Sequence, residues 1–314
     1  MSKVLVTGGS GRLGRSVVAG LAASGLTVVS VDRQIVEADQ FPAGVVQDAV
    51  DLTAPGEAFR VISGHAPDAV IHLAAIAVPF SAPENVIFET NSKLAFAVLG
   101  AATEAGVRKI ITASSPTVLG YGNPAGWLPD ALPLDERTEP RPWNAYALSK
   151  LLAEQVMQMF ATANGNSVRY AAFRPCFVIS PEEWLGAPTQ QGHTVAERLA
   201  DPTLAAPALF NYVDARDAAD FLITLLDRMD DIPNAQTFFV GAEDALASEP
   251  LADLLPQYLP GSEELAAALT GSSPAFSIAK ARDLLGWRPT RSWRTELADS
   301  PVVSAGAPGH SVAS

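Results

Sequence analysis

The sequence predicts an α/β protein built on a doubly wound parallel sheet, with a small lobe contributed by its C-terminal part. Short β-branched runs alternate with helical stretches from Lys3 to Ala113, which is typical of parallel strands covered by helices on both faces. A glycine-rich turn joins the first run to the first helical stretch. After residue 175 the chain changes to Pro-rich loops with short helices, which predicts the lobe.

The predicted elements follow one another in regular steps. The predicted strands are KVLVT, TVVSV, the short GVVQD, AVIHLA, RKIITAS and Ser167 to Phe173. The predicted helices are Arg12 to Ala23, Pro55 to Ser63, Glu84 to Ala105 and a helix capped by Asn144 that reaches about Ala163. Gly25 and Gly106 stand where a helix C-terminal glycine belongs.

This order of elements also predicts a division of the chain. The sheet domain is expected to span residues 1–175, with later segments of about 205–240 interleaved with it. Residues 176–299 are expected to supply the lobe, with short helices within NYVDARDAADFLITLL and IAKARDLLGW. The tail at 300–314 is rich in Gly, Pro and Ser, and is predicted to be disordered.

Composition and charge exclude several classes of partner. With 34 acidic against 21 basic residues, a formal net charge of −13 and no basic run, the chain is not expected to bind nucleic acid. The longest apolar runs, such as Ala69 to Val78, are too short for a bilayer, and the first residues enter a strand directly without a signal peptide. We therefore expect a cytoplasmic protein with small-molecule partners and no membrane contact.

Metal and disulfide chemistry are also not expected. A single cysteine, Cys176, excludes a disulfide framework and a cysteine-cluster metal site, and it agrees with a reducing compartment. The four histidines, at 65, 72, 193 and 310, are scattered and form no ligand spacing.

The glycine-rich turn TGGSGRLG, residues 7–14, is a dinucleotide fingerprint in its expected context. It follows a strand and opens a helix, so that the helix N-terminus faces an anionic pyrophosphate. Two of its glycines allow the tight turn and the close approach of the backbone, and the third permits contact between helix and strand. This predicts a Rossmann-type domain. The loop residues expected at the cofactor are Gly8, Gly11, Arg12, Leu13 and Gly14.

The residues after the second and third strands predict the cofactor as NAD. Asp32 ends the second strand about 20 residues after the loop, where a carboxylate accepts hydrogen bonds from the ribose hydroxyls. The same charge would repel the 2′-phosphate of NADP, although Arg33 could contact it. Asp51 and Leu52 are placed to meet the adenine, and Asp51 is equally expected as a loop or helix-cap residue.

A second motif, YALSK, predicts acid/base chemistry. Tyr146 and Lys150 are four residues apart and so lie on one helix face. An ammonium group beside a phenol favours the phenolate, so we expect a lowered Tyr146 pKa and a general base. Ser115, near the end of the fifth strand, is expected to hydrogen-bond the substrate oxygen as charge develops.

Together these motifs resemble the extended short-chain dehydrogenase/reductase family, also called the NAD-dependent epimerase/dehydratase family. The resemblance runs from Lys3 to about Trp293 and rests on TGGSGRLG, Asp32, HLAA at 72–75, Asn91, ASSPTVLG, YALSK, Arg174-Pro175, NYVDARD and ARDLLGW. It implies Ser115, Tyr146 and Lys150 as catalytic residues. It also implies positions near the cofactor for His72, Leu73, Ala74, Ala75, Asn91 and Pro175, with Asn91 ordering the lysine and a water. His72 is equally expected as a strand-end histidine, and Asn91 as a structural cap.

Departures from the family pattern narrow the substrate. Only ALF precedes NYVDARD, where nucleotide-sugar members carry a longer binding segment, so little room is expected for a UDP or dTDP group. The short lobe and the Ser-Pro-Glu stretch at 180–182 are similar to uronate dehydrogenases. Those enzymes bind a carboxylate with an arginine just beyond that stretch, and no arginine lies between Arg174 and Arg198 here. A uronate is therefore disfavoured as the substrate, whereas a neutral sugar, lactol or other small polyol stays open.

Three functions stay open on the sequence. The first is an NAD-dependent dehydrogenase that moves a hydride between the cofactor and a secondary alcohol or sugar-like carbonyl. The second is a sugar or nucleotide-sugar epimerase with retained NAD, and the third is a non-catalytic dinucleotide sensor on the same fold. A dehydratase is disfavoured, because Pro116 and Thr117 replace the acidic pair that elimination needs. The resemblance also implies a homodimer through the helices at 84–105 and 144–163.

Overall fold

The main sheet is parallel and seven-stranded in the computed structural model, which describes residues 2–298. Its strand order is β3-β2-β1-β4-β5-β6-β9. All strands run in the same direction, and the order in which the chain adds them changes from one side of β1 to the other at β4. The strands are β1 (Lys3–Thr7), β2 (Thr27–Asp32), β3 (Val46–Ala49), β4 (Ala69–His72), β5 (Lys109–Ala113), β6 (Arg169–Pro175) and β9 (Gln236–Val240). The predicted α/β fold with a doubly wound parallel sheet is confirmed.

Helices cover both faces of this sheet. The sheet-covering helices are α1 (Arg12–Ala23), α2 (Glu57–His65), α3 (Glu84–Glu104), α4 (Ala145–Asn164) and α7 (Ala215–Arg228). Strand residues alternate between the two faces: Val4 and Val6 join the core beneath α1 and α7, whereas Leu5 joins the core beneath the other three helices. Two apolar cores thus pack on the two faces of the sheet. Because the strands are parallel, their carboxyl ends all lie along one edge of it.

The remaining strands and α-helices are short and all follow β6 in the chain. They are β7 (Val178–Ile179), α5 (Pro181–Trp184), α6 (Val195–Ala200), β8 (Val213–Asp214), α8 (Leu251–Tyr258), α9 (Glu263–Ala266), α10 (Ala279–Leu285) and α11 (Trp293–Glu296). Strands β7 and β8 pair in parallel, and Trp184 and Tyr212 pack there in a third, small apolar core. This core packs β7 against α5 and α6.

Element boundaries differ little from the predicted ones. The backbone N–H of Ala147 donates to the Asn144 side chain at 2.9 Å, which is the predicted cap of α4. Helix α2 begins at Glu57 rather than Pro55, because Gly56 has a left-handed backbone, φ +79°, that no helix continues through. Within residues 2–298 no helix is long and apolar enough to cross a membrane. The predicted disordered tail lies outside the described residues.

Candidate active site

The glycine-rich loop turns between β1 and α1 with no space for side chains. A Cβ on Gly8, whose φ is +73°, would lie 2.6 Å from the backbone nitrogen of Ala74, and one on Gly14 would lie 2.1 Å from the Gly8 carbonyl oxygen. No side chain caps the N-terminus of α1 and no acidic residue occupies its first turn. The first-turn N–H groups therefore suit an anionic ligand such as a pyrophosphate.

Asp32 lies at the end of β2, where its carboxylate is held by the backbone. It accepts hydrogen bonds from the N–H groups of Ser10, at 3.1 Å, and Arg33, at 2.7 Å. Asp51 accepts from the backbone and the hydroxyl of Thr53, which lowers the pKa of the Asp51 carboxyl. Asp51 thus caps its own turn while lining the cavity.

One cavity of about 1070 Å³ runs along the carboxyl edge of the sheet and collects most of the predicted site residues. On its wall lie Gly8, Gly11, Arg12, Leu13, Gly14, Asp32, Arg33, Asp51, Leu52, Leu73, Ala74, Ala75, Ser115, Tyr146, Lys150 and Pro175. The glycine-rich loop, the acidic end of β2 and the YALSK motif therefore share one space, as a dinucleotide and a small second ligand would require.

The YALSK pair is buried beside the end of β5. Tyr146 and Lys150 each retain 7% of their surface, and the Lys150 ammonium lies 5.8 Å from the centre of the Tyr146 ring. Lys150 donates to the carbonyl oxygen of Ala113 at 3.1 Å. Ser115 is equally buried and accepts a hydrogen bond from the Thr117 hydroxyl at 2.9 Å. The three predicted catalytic residues thus face one cavity at the same depth.

The pKa values in this structure differ from the expected ones. Burial raises the pKa of Tyr146 to about 12, against a smaller lowering by its hydrogen bond to Ser115. Burial also lowers the pKa of Lys150 to about 8. The expected lowering of the Tyr146 pKa beside Lys150 is therefore not found in this structure, because desolvation of the buried phenol is the larger effect.

Asn91 and His72 lie behind the cavity wall rather than on it. The Asn91 side chain accepts from the backbone N–H of Ile76 at 2.8 Å and donates to the Ser149 hydroxyl at 3.1 Å. It fixes α3 to the helix of Tyr146, and it does not bond to Lys150. A ring nitrogen of His72 lies 2.7 Å from the Thr7 hydroxyl, and burial lowers the pKa of His72 to about 3. His72 is thus a neutral strand-end residue.

Arg12 contacts helix α5. Its guanidinium forms an ion pair with Glu183, a carboxylate only 1% exposed, and Arg15 one turn later pairs with Glu182 at 2.6 Å. The predicted cofactor residue Arg12 therefore ties the glycine-rich loop to α5. No motif could have shown this pairing, since Arg12 and Glu183 are 171 positions apart.

A buried ion pair beneath the site was missed by the sequence reasoning. Arg174 donates to both oxygens of Glu154 at 2.8 Å, and the Ser114 hydroxyl donates to the same carboxylate. Glu154 follows Lys150 by one helical turn, and Ser114 precedes Ser115. A carboxylate inside the apolar run LLAEQVM was the available signal, because a buried charge requires a partner.

The chain is similar in sequence to a known family and to several enzymes. The model of the NAD dependent epimerase/dehydratase family matches residues 4–241. A UDP-glucose 4-epimerase of Azospirillum brasilense is 31% identical over 169 residues, or 52% of this chain and 46% of that protein. This match thus spans about half the length of that relative. A UDP-glucose 4-epimerase of Lacticaseibacillus casei is 26% identical over 320 residues and is covered to 91%, as is this chain.

Solved structures share the fold. A short-chain dehydrogenase/reductase superfamily protein from Agrobacterium tumefaciens, solved with bound NAD, superposes with a TM-score of 0.69 at 23% identity. The superposition covers 96% of this chain and 97% of that one. The family model covers most of the sheet domain together with the glycine-rich loop, YALSK and NYVDARD. The chain therefore belongs to the NAD-dependent epimerase/dehydratase family, an extended branch of the short-chain dehydrogenases/reductases.

Proposed function

We propose that this chain is an NAD-dependent epimerase that acts on a sugar or nucleotide sugar. The observation that carries the proposal is the buried set of Ser115, Tyr146 and Lys150 on the wall that also holds the glycine-rich loop. The family is NAD-dependent, and UDP-glucose 4-epimerases are among the relatives. The sequence alone favours net oxidation, whereas the relatives favour the epimerase alternative.

In the proposed reaction the residues of this chain move one proton and stabilise one oxygen. NAD, when bound, supplies the hydride acceptor and, while oxidised, a positive nicotinamide ring. Tyr146 takes the proton of the substrate hydroxyl through its phenolic oxygen. Tyr146 acts here as the phenolate, which becomes a neutral phenol when it accepts this proton. Lys150 stabilises the phenolate before the transfer and holds the nicotinamide ribose, and Ser115 donates to the substrate oxygen. Epimerisation then requires that the ketone turn over in the cavity before the hydride returns to its other face.

A dehydrogenase is the second candidate, and the lobe is the observation that favours it. The short segment between Arg174 and Tyr212 provides the cavity wall with Phe177, Val178 and the glutamines 190 and 191. A small free sugar needs no longer segment than this one.

We propose that residues 176–299 form this substrate lobe. We also propose that the enzyme works in the cytoplasm, in agreement with its single, buried thiol.

One experiment separates the two reactions. Purified protein is assayed with NAD and, in turn, UDP-glucose, UDP-galactose and free aldoses, with NADH absorbance and sugar composition followed together. An epimerase interconverts sugars without accumulating NADH, whereas a dehydrogenase accumulates one NADH per substrate oxidised. If neither the NADH absorbance nor the sugar composition changes with any substrate, both reactions are contradicted and the dinucleotide sensor is favoured.

Cofactor preference tests the role of Asp32. We expect NAD to bind several-fold more tightly than NADP, because the Asp32 carboxylate repels the additional phosphate. Asp32→Ser should abolish this preference, since the variant removes the charge and leaves Arg33 free to contact the phosphate. Fluorescence titration of both cofactors measures the ratio. Equal affinities in the unchanged protein would show that Arg33 governs the pocket.

Helices α3 and α4 pack against each other, and their outer faces expose apolar side chains. The oligomeric state tests whether these faces form an interface. Phe96 is 56% exposed, and Leu148 and Met159 are 46% and 47% exposed. We propose an isologous homodimer through these helices. Light scattering at micromolar concentration should give twice the chain mass, and Phe96→Glu should halve it. Leu284→Glu, at a 41% exposed position on α10, is the control that should stay dimeric.

A further inference from the structure

Arg198 is a buried guanidinium that meets no carboxylate of the described residues. Only 1% of its surface is exposed. Its Nη1 donates to the side-chain oxygen of Gln191, whereas Nε and Nη2 have no hydrogen-bond partner within residues 2–298. Burial lowers the pKa of Arg198 to about 10, and no neighbouring acid opposes this shift. The group is therefore charged at neutral pH, with no counter-ion in the part of the chain that the structure describes.

A comparison within the same molecule shows that this is unusual. Arg174 is equally buried, with 3% of its surface exposed, and Glu154 meets it with two hydrogen bonds of 2.8 Å. A buried charge without such a partner is strongly destabilising. A neutral amide oxygen on one of its nitrogens does not replace a carboxylate. Packing alone therefore does not account for Arg198.

The position of Arg198 connects it with the candidate active site. Its guanidinium carbon lies 4.2 Å from the ring centre of Phe177. Phe177 and Gln191 both line the cavity that contains Tyr146 and Ser115. Arg198 thus lies one side chain behind the wall, and the exposed Gln191 is the group that joins it to the cavity. Rotation of that glutamine side chain would open the guanidinium to a ligand.

We propose that Arg198 binds an oxyanion of the substrate, a carboxylate or a phosphate, which takes the place of the Gln191 amide oxygen. A guanidinium presents parallel N–H donors that match two oxygens of either group. The proposal deepens the proposed function and rests on it for the identity of the cavity as a substrate site. It also readmits a uronate as the substrate, which the absence of an arginine between Arg174 and Arg198 disfavours.

The test is binding of matched probes to the NAD-loaded protein, measured by calorimetry. The probes are D-glucose, D-glucuronate, D-glucose 6-phosphate and UDP-glucose, which carry no charge, a carboxylate, a phosphate and a pyrophosphate. We expect at least one anionic probe to bind tenfold or more tightly than glucose, and Arg198→Met to remove that advantage. The probe that gains identifies the oxyanion. If no anionic probe binds better than glucose, the proposal is wrong.

Gln191→Ala separates binding from a structural role. If the glutamine competes with the ligand, this variant keeps or strengthens anion binding. If Arg198 only positions Gln191, both variants weaken every probe equally, which would overturn the proposal. If Arg198→Met fails to fold, Arg198→Lys is the second variant, because it keeps the charge but loses the planar guanidinium. We expect it to weaken the affinity for the anionic probe at least threefold and to leave the affinity for glucose unchanged. These experiments measure binding and not turnover. They therefore test the role of Arg198 even if the protein does not catalyse the proposed reaction.

Discussion

Tyr146→Phe should lower turnover by roughly 10² to 10⁴-fold, the range that one positioned proton transfer contributes. The variant keeps the aromatic ring and removes only the phenolic oxygen. The ring of residue 146, which is 7% exposed in the tyrosine, therefore keeps its packing contacts. We expect the dissociation constant of NAD to change less than about twofold. Steady-state rates beside NAD titration measure both quantities.

The matched control is Tyr170→Phe. Tyr170 is also buried, but its phenol lies 2.8 Å from the Thr103 hydroxyl, away from the cavity wall. This variant should keep the unchanged rate, which shows that loss of a buried phenol is not harmful in itself. Substantial turnover in Tyr146→Phe would mean that another group is the base.

Lys150→Met distinguishes the two members of the YALSK pair. It should weaken NAD binding as well as slow turnover, because the ammonium is proposed to hold the ribose and to stabilise the phenolate. Between neutrality and about pH 8, where Lys150 keeps its charge, the unchanged enzyme should become faster with increasing pH, since a tyrosine with a raised pKa gains phenolate. A rate that falls over this range would contradict the assignment of Tyr146 as the base in oxidation.

Local pattern predicted the fold because each element carries its own signal. The alternation of β-branched runs and helices specified β1 to β6 in order, and Gly25 and Gly106 marked helix ends that the structure places at left-handed backbone, φ +86° and +78°. Boundaries moved by about two residues at most, as where Gly56 delays the start of α2 and where β6 begins at Arg169 rather than Ser167. The site residues that a motif names also came together on one wall.

Contacts between distant segments were beyond the sequence. Arg12 pairs with Glu183, and Thr7 pairs with His72, because the strand order brings these positions together and no local periodicity records it. The Tyr146 pKa was misjudged for a related reason. The spacing of YALSK shows that an ammonium is near, but only the packed structure shows how much desolvation both groups suffer.

The largest expected effect on stability follows from the buried ion pair beneath the catalytic residues. Glu154→Gln removes the charge that faces Arg174 while it keeps the shape of the side chain. Both residues are at least 95% buried, at 5% and 3% exposure, so the guanidinium would remain unpaired in an apolar environment. Breaking such a pair costs about 3 to 5 kcal/mol, which should lower the midpoint of thermal unfolding by roughly 5 to 10 °C.

A double variant shows whether the loss comes from the unpaired charge or from the missing contact. In Glu154→Met with Arg174→Met, no charge is left buried, and apolar side chains of similar length fill the space. We expect this variant to recover most of the lost stability, because replacement of a buried ion pair by apolar residues is often close to neutral. If the double variant is as unstable as Glu154→Gln, the network with Ser114 rather than the charge balance holds α4 against β5 and β6. The argument from charge would then be wrong.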